Sequence, residues 1–244
     1  MQKIYNRKNK AVAILGGSKA GNIPDFVEQA DSLGRSMRER GIEIMICGNT
    51  HSGLTAICAN TFQSLGGIVV EVNTEDFYNI DKVFNDKSVC VPNYSLVTSD
   101  MSIRKLFILR AGQAMKNAIL SEKTHLDSIN FIKNVQVIGA IALPGGVGTD
   151  DEIFSAMTYN QEASYARKYL KANKQGVPLI LVNTAGVFNH IKEGIERKIN
   201  AGLATTQDFT YFKMTRDAKE AVSLVINNNV NAFDYSYFNS NGRT

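Results

Sequence analysis

Two short stretches of this 244-residue chain hold residue types whose spacing suits chemistry. In the first, Ala140-Ile141-Ala142-Leu143-Pro144-Gly145-Gly146-Val147-Gly148-Thr149-Asp150-Asp151-Glu152, an apolar run meets a proline and three glycines before a helical pattern opens. Glycines let a backbone turn sharply and come close to a ligand. A helix start offers free amides and the positive end of a dipole, which together favour an anion, most simply a phosphate. Thr149 and Glu152 stand three apart, the spacing of a capping box, which predicts Thr149 as the N-cap and Glu152 reaching back to its amide. In the second stretch, Asp100-Met101-Ser102-Ile103-Arg104-Lys105, two cations fall in the first turns of a predicted helix. There they oppose the dipole, and an anionic group nearby would account for them.

Other phosphate loops are excluded by what is missing. A P-loop places Gly-Lys-Ser/Thr after its glycines, whereas Gly148-Thr149 runs into Asp150, so no γ-phosphoryl transfer is expected. The G-x-G-x-x-G fingerprint is matched neither here nor at Gly16-Gly17-Ser18-Lys19-Ala20-Gly21, and the second strand ends at Ile46-Cys47-Gly48 without an acid for a ribose. A nicotinamide is therefore not expected, nor is any other cofactor.

The elements that must position these residues alternate along the chain. Strands are predicted over residues 11–15, 42–47, 68–72, 94–98, 135–143 and 177–182, with a short one within 209–214. Helices are predicted over 24–40, where Phe26, Ala30, Leu33 and Met37 keep helical spacing, and over 54–65, 149–170, 188–199 and 218–226. A further helix begins after Ser99 or Asp100. Residues 73–92 and 121–134 read as polar breaks. Such alternation implies parallel pairing by right-handed crossovers, hence an α/β, doubly wound, Rossmann-like sheet with helices on both faces. Ligands of such sheets bind outside the carboxyl ends of the strands, so the three glycine-bearing loops should gather on one edge.

Composition narrows the class. With 44% hydrophobic and 20% charged residues the chain suits one globular domain. Lys3, Arg7, Lys8 and Lys10 lie in a first decade without acids, and the remaining 23 basic and 23 acidic residues cancel. Residues 1–10 thus read as a basic, mobile arm, 11–228 as a single nucleotide-binding domain, and 229–244 as a poorly ordered polar tail. No nucleic-acid partner is expected of the neutral body. Cys47, Cys58 and Cys90 lack CxxC spacing and His51, His125 and His190 are scattered, so neither a disulfide framework nor a metal site is indicated. Reduced thiols, no apolar run of membrane-spanning length and no signal-peptide core lead to the expectation of a cytoplasmic protein without a membrane partner.

The chain resembles the Lonely Guy family, the cytokinin-activating nucleotide hydrolases long labelled lysine decarboxylases. The family signature Pro-Gly-Gly-x-Gly-Thr-x-x-Glu is matched by Pro144, Gly145, Gly146, Gly148, Thr149 and Glu152, and the upstream Met-x-x-Arg-Lys by Met101, Arg104 and Lys105. Three departures stand out: Cys47-Gly48-Asn49 where relatives have a glycine triplet, Ile103 for a Glu or Gln, and Asp150 for a leucine. The segment between Lys105 and Pro144 is also longer. The resemblance implies hydrolysis of the N-glycosidic bond of a nucleoside 5′-monophosphate, with Glu152 and Arg104 as the catalytic candidates. It implies phosphate binding by Gly145, Gly146, Val147, Gly148 and Thr149, and a pocket wall drawn from Gly16, Ser18, Asn49, Met101, Lys105, Asp151 and Thr158. A homodimer or higher homo-oligomer is implied as well. The alternative is a carrier of the same fold, such as a molybdenum-cofactor carrier, that binds a phosphorylated ligand without cleaving it. From spacing alone Glu152 reads equally as the capping-box residue and nothing more, and Asp150 and Asp151 are expected to point away from the anion.

Overall fold

The computed structural model describes residues 9–83, 89–116, 120–171 and 176–227. Short aliphatic runs form strands, and each helix starts where a loop restores polar or glycine residues. In chain order the elements are β1 (Asn9–Leu15), α1 (Pro24–Glu39), β2 (Ile44–Cys47), α2 (Gly53–Ser64), β3 (Ile68–Thr74) and α3 (Glu75–Val83). There follow β4 (Tyr94–Thr98), α4 (Met101–Arg110), α5 (Leu126–Ile132), β5 (Val135–Ala142) and α6 (Val147–Leu170). The chain continues through β6 (Leu179–Val182), α7 (Asn189–Asn200), β7 (Lys213–Thr215) and α8 (Ala218–Asn227).

The strands form one sheet in the order β4-β3-β2-β1-β5-β6-β7, every neighbouring pair parallel. Because side chains alternate across a strand, each strand feeds two cores. Ala11, Ala13 and Leu15 of β1 join the core under α4, α6 and α7, while Val12 and Ile14 join the core under α1, α2 and α8. The doubly wound expectation thus holds, with helices on both faces. The winding reverses between β1 and β5, and the crevice beyond their carboxyl ends is where such sheets hold ligands.

Four expectations need correction. Residues 73–92 are not a continuous loop: β3 runs on to Thr74 and α3 follows, anchored by Glu75, which accepts from Ser121 Oγ and lies 3.4 Å from Lys123 Nζ. Those partners are more than forty residues away in sequence, so the segment's polarity hid its helix. Residues 121–134 are likewise not a plain break. They hold α5, where Phe131 stacks on Tyr94 at 4.0 Å and Ile132 is fully buried. Thr124 Oγ1 meanwhile bridges to the backbone of Val97, accepting from its amide and donating to its carbonyl. Lys10, assigned to the arm, is part of β1 and pairs in register with Gln136. Thr149 is not an N-cap, for α6 starts two residues earlier, at Val147, with Gly146 as its cap. Residues 1–8 of the arm and the tail from 228 lie outside the described residues.

Candidate functional site

The floor of the crevice is an ion pair reached from two helices. Asp100 caps α4, its carboxylate accepting from the amides of Ser102 (2.8 Å) and Ile103 (3.0 Å), and this fixes the turn carrying Arg104. The Arg104 guanidinium donates from Nη1 to Glu152 Oε1 at 2.9 Å, from Nε to the Val72 carbonyl at 3.0 Å and from Nη2 to the Gly48 carbonyl at 2.9 Å. It therefore ties together α6 and the ends of β3 and β2. Gly48 must lack a side chain, because a Cβ there would lie 1.7 Å from Nη2. Arg104 and Glu152 are 8% and 7% exposed. Burial raises the proton affinity of Glu152 above that of an ordinary carboxylate, and the Arg104 charge and hydrogen bond oppose this.

The start of α6 explains why Glu152 faces Arg104. Gly146 is extended (φ −96°, ψ −157°) and supplies no side-chain cap, while the Thr149 amide donates to the Gly146 carbonyl at 2.9 Å. Glu152 consequently falls in the second turn, too far along to cap. The first amides of the helix, those of Val147 and Gly148, have no carbonyl one turn back within it. A Cβ at Gly146 or Gly148 would meet open space, whereas one at Gly145 would lie 2.0 Å from Thr149 Oγ1 and 2.8 Å from the Gly17 amide nitrogen. Gly145 thus serves loop packing, and Gly146 and Gly148 leave room for a ligand.

Three loops meet there, as expected of the three glycine-bearing segments. The Gly17 amide donates to the Pro144 carbonyl (3.1 Å), the Leu54 amide to the Gly17 carbonyl (3.1 Å), and Ser52 Oγ to the Ser18 carbonyl (2.9 Å). Between them opens a cleft of about 900 Å³ whose wall includes Arg104 and Glu152. Of the residues singled out in the sequence, Gly16, Ser18, Asn49, Met101 and the whole turn from Gly145 to Thr149 line it. Asn49 is partly committed to its own loop, accepting from the His51 amide (2.9 Å) and donating to the Ser52 carbonyl (3.2 Å).

Lys105, Asp151 and Thr158 do not line the cleft. Lys105 Nζ lies 2.9 and 2.8 Å from the two oxygens of Asp151, and Thr158 Oγ1 donates back to the Phe154 carbonyl at 2.9 Å. Asp150 lies 3.1 Å from His190 Nε2, so both carboxylates beside the glycine turn are matched by a basic side chain. The cleft also includes Lys19, Asn73 and Phe77, which sequence reasoning did not single out. Lys19 was visible within its glycine loop. Phe77 was not, because it rides on α3. Cys47, Cys58 and Cys90 are free, and burial pushes all three thiols up, Cys90 to about 11, which leaves no nucleophilic thiolate. Among the described residues no group of three acidic, histidine or cysteine side chains is arranged to hold a metal ion, and no helix is long and apolar enough to cross a membrane.

Fold and cleft define a doubly wound α/β protein with a ligand crevice at the switch point of its sheet. A family model described as "Possible lysine decarboxylase" matches residues 111–225. A "Bifunctional cytokinin biosynthesis protein" of Fusarium pseudograminearum (strain CS3096) is 26% identical over 197 residues, 78% of this chain and 36% of that protein, so the chain spans about a third of it. A "Cytokinin riboside 5'-monophosphate phosphoribohydrolase" of Rhodococcoides fascians is 23% identical over 216 residues, covering 88% of this chain and 89% of its own. One from Arabidopsis thaliana is 22% identical over 222 residues, covering 90% and 78%. The chain is thus similar, at low identity, to the family its two motifs resemble, the Lonely Guy family. Its fold is shared with the molybdenum cofactor carrier protein of Chlamydomonas reinhardtii, at a TM-score of 0.52 and 17% identity over 90% of this chain and 97% of that one.

Proposed function

We propose that the chain hydrolyses the N-glycosidic bond of a nucleoside 5′-monophosphate, releasing the free base and ribose 5-phosphate. The observation that carries this reading is a buried carboxylate, Glu152, held by Arg104 in the same cleft as an uncapped helix start. Departure of the base leaves positive charge on the ribose ring, which an adjacent carboxylate stabilises. A raised proton affinity suits Glu152 to take one proton from the attacking water as its oxygen bonds to C1′. The C1′–N electron pair leaves with the base, which then gains a proton. Exposed Phe77 and Met101 offer apolar surface to that base, and the substrate in the relatives' names is a cytokinin riboside 5′-monophosphate.

Chromatography of nucleoside monophosphates incubated with the purified protein tests the reading. Free base should appear from the monophosphate and not from the unphosphorylated nucleoside. Equal turnover of both would remove the role of the glycine turn, and tight binding without release over hours would make the protein a carrier.

A further inference from the structure

Resting on that reading, we propose that Lys19, and not Arg104, is the cation that holds the substrate's phosphate. The three kinds of Arg104 nitrogen each donate to the protein itself, to the Val72 carbonyl, to Glu152 and to the Gly48 carbonyl. Its charge is spent on positioning the carboxylate. Lys105 is closed on Asp151 outside the cleft. Lys19 is exposed and lines the cleft, and among the described residues no hydrogen bond or ion pair holds its ammonium.

The root of Lys19 is nonetheless fixed. The backbone of residues 17–19 is wedged between the start of α2 and the turn after β5, through Gly17 to Pro144, Leu54 to Gly17 and Ser52 to Ser18. Gly53, in the left-handed region at φ +74°, comes so close that a Cβ there would lie 2.6 Å from the Lys19 amide nitrogen. The side chain therefore projects from a rigid loop beside two helix N-termini, neither of which has a side-chain cap bond.

A cation at a helix N-terminus is normally disfavoured, because both are positive. The one carboxylate among the described lining residues is Glu152, already paired with Arg104. Asp150, in the first turn of α6, faces His190 and does not line the cleft. The two helix starts and the ammonium thus share a cleft whose one lining carboxylate is already paired, and a phosphate dianion supplies the missing charge. Lysine suits this role, being a mobile point charge with three donors. The cleft then divides its labour: Lys19 and the Gly146–Gly148 amides take the phosphate, while Arg104 keeps Glu152 in place at the sugar.

Calorimetric titration of the full chain with ribose 5-phosphate and with AMP at low salt tests this without needing turnover. Lys19→Ala should weaken both ligands about tenfold or more and flatten the salt dependence, Lys19→Arg should restore most of the affinity, and adenosine binding should not change. Lys192→Ala, an exposed change on α7, should leave binding as it was. Undiminished binding of ribose 5-phosphate by Lys19→Ala would overturn the proposal, as would a wild type that binds no phosphorylated ligand. Binding through Lys19 with no base released would sustain the phosphate site and remove the hydrolase reading. Hydrolysis with an unchanged KM in Lys19→Ala would do the reverse.

Discussion

Two ion pairs join α4 to α6 through consecutive residues, and they sit in opposite surroundings. The inner pair, Arg104 and Glu152, has side chains 9% and 10% exposed, while in the outer pair, Lys105 and Asp151, they are 18% and 51% exposed. Their separations hardly differ, at 2.9 and 2.8 Å. The difference lies in the medium. Water screens the outer pair, so it acts as a weak strut between the helices. The inner pair has exchanged most of its water for protein, and removing one partner strands a charge that little water reaches. Distance alone therefore says little about what an ion pair contributes.

The contrast breaks most visibly at Arg104. Arg104→Ala leaves the Glu152 carboxylate and two backbone carbonyls without their donor, and is expected to cost about 3–5 kcal/mol of stability in denaturant melts. A loss no larger than that of an exposed pair would mean that water enters the cleft floor freely. Glu152→Gln keeps shape and loses charge. It should lower kcat about 10²–10³-fold while AMP still binds. Retained hydrolysis would reduce Glu152 to a structural role.

A smaller effect concerns pH. Because burial raises Glu152, the acid limb of kcat/KM should lie above the ordinary glutamate value of about 4.3 and vanish in Glu152→Gln. The sign for stability follows from the same shift. The folded chain binds this proton more readily than the unfolded one, so the contribution is fully present below the unfolded value and lost as pH rises through the folded one. Melts of wild type against Glu152→Gln across that range would read it. Least affected is the outer pair: Asp151→Asn should change stability by less than about 1 kcal/mol, and less still in high salt.

Much of the arrangement was readable in the chain. The alternation of apolar runs with amphipathic segments specified a parallel sheet, and Gly16-Gly17, Gly48 and Gly145-Gly146 marked the loops that converge. What escaped were segments ordered from a distance. α3 owes its anchor to Glu75 meeting Ser121 and Lys123, and α5 to Phe131 stacking on Tyr94. Thr149 misled for another reason. Its spacing to Glu152 satisfies a local rule, yet Gly146 starts the helix earlier and Arg104, 48 positions away, claims the carboxylate.

The sequence by itself determined the alternation of strands with every helix but α3 and α5, the glycine turn at the head of α6 and the residue types brought to it, because periodicity, turn chemistry and capping act over a few residues. Only the tertiary structure decided which cation serves which anion. Arg104, Lys105 and Lys19 are indistinguishable as formal charges along a chain, and burial, with the carbonyls or carboxylate that each one meets or lacks, separates them.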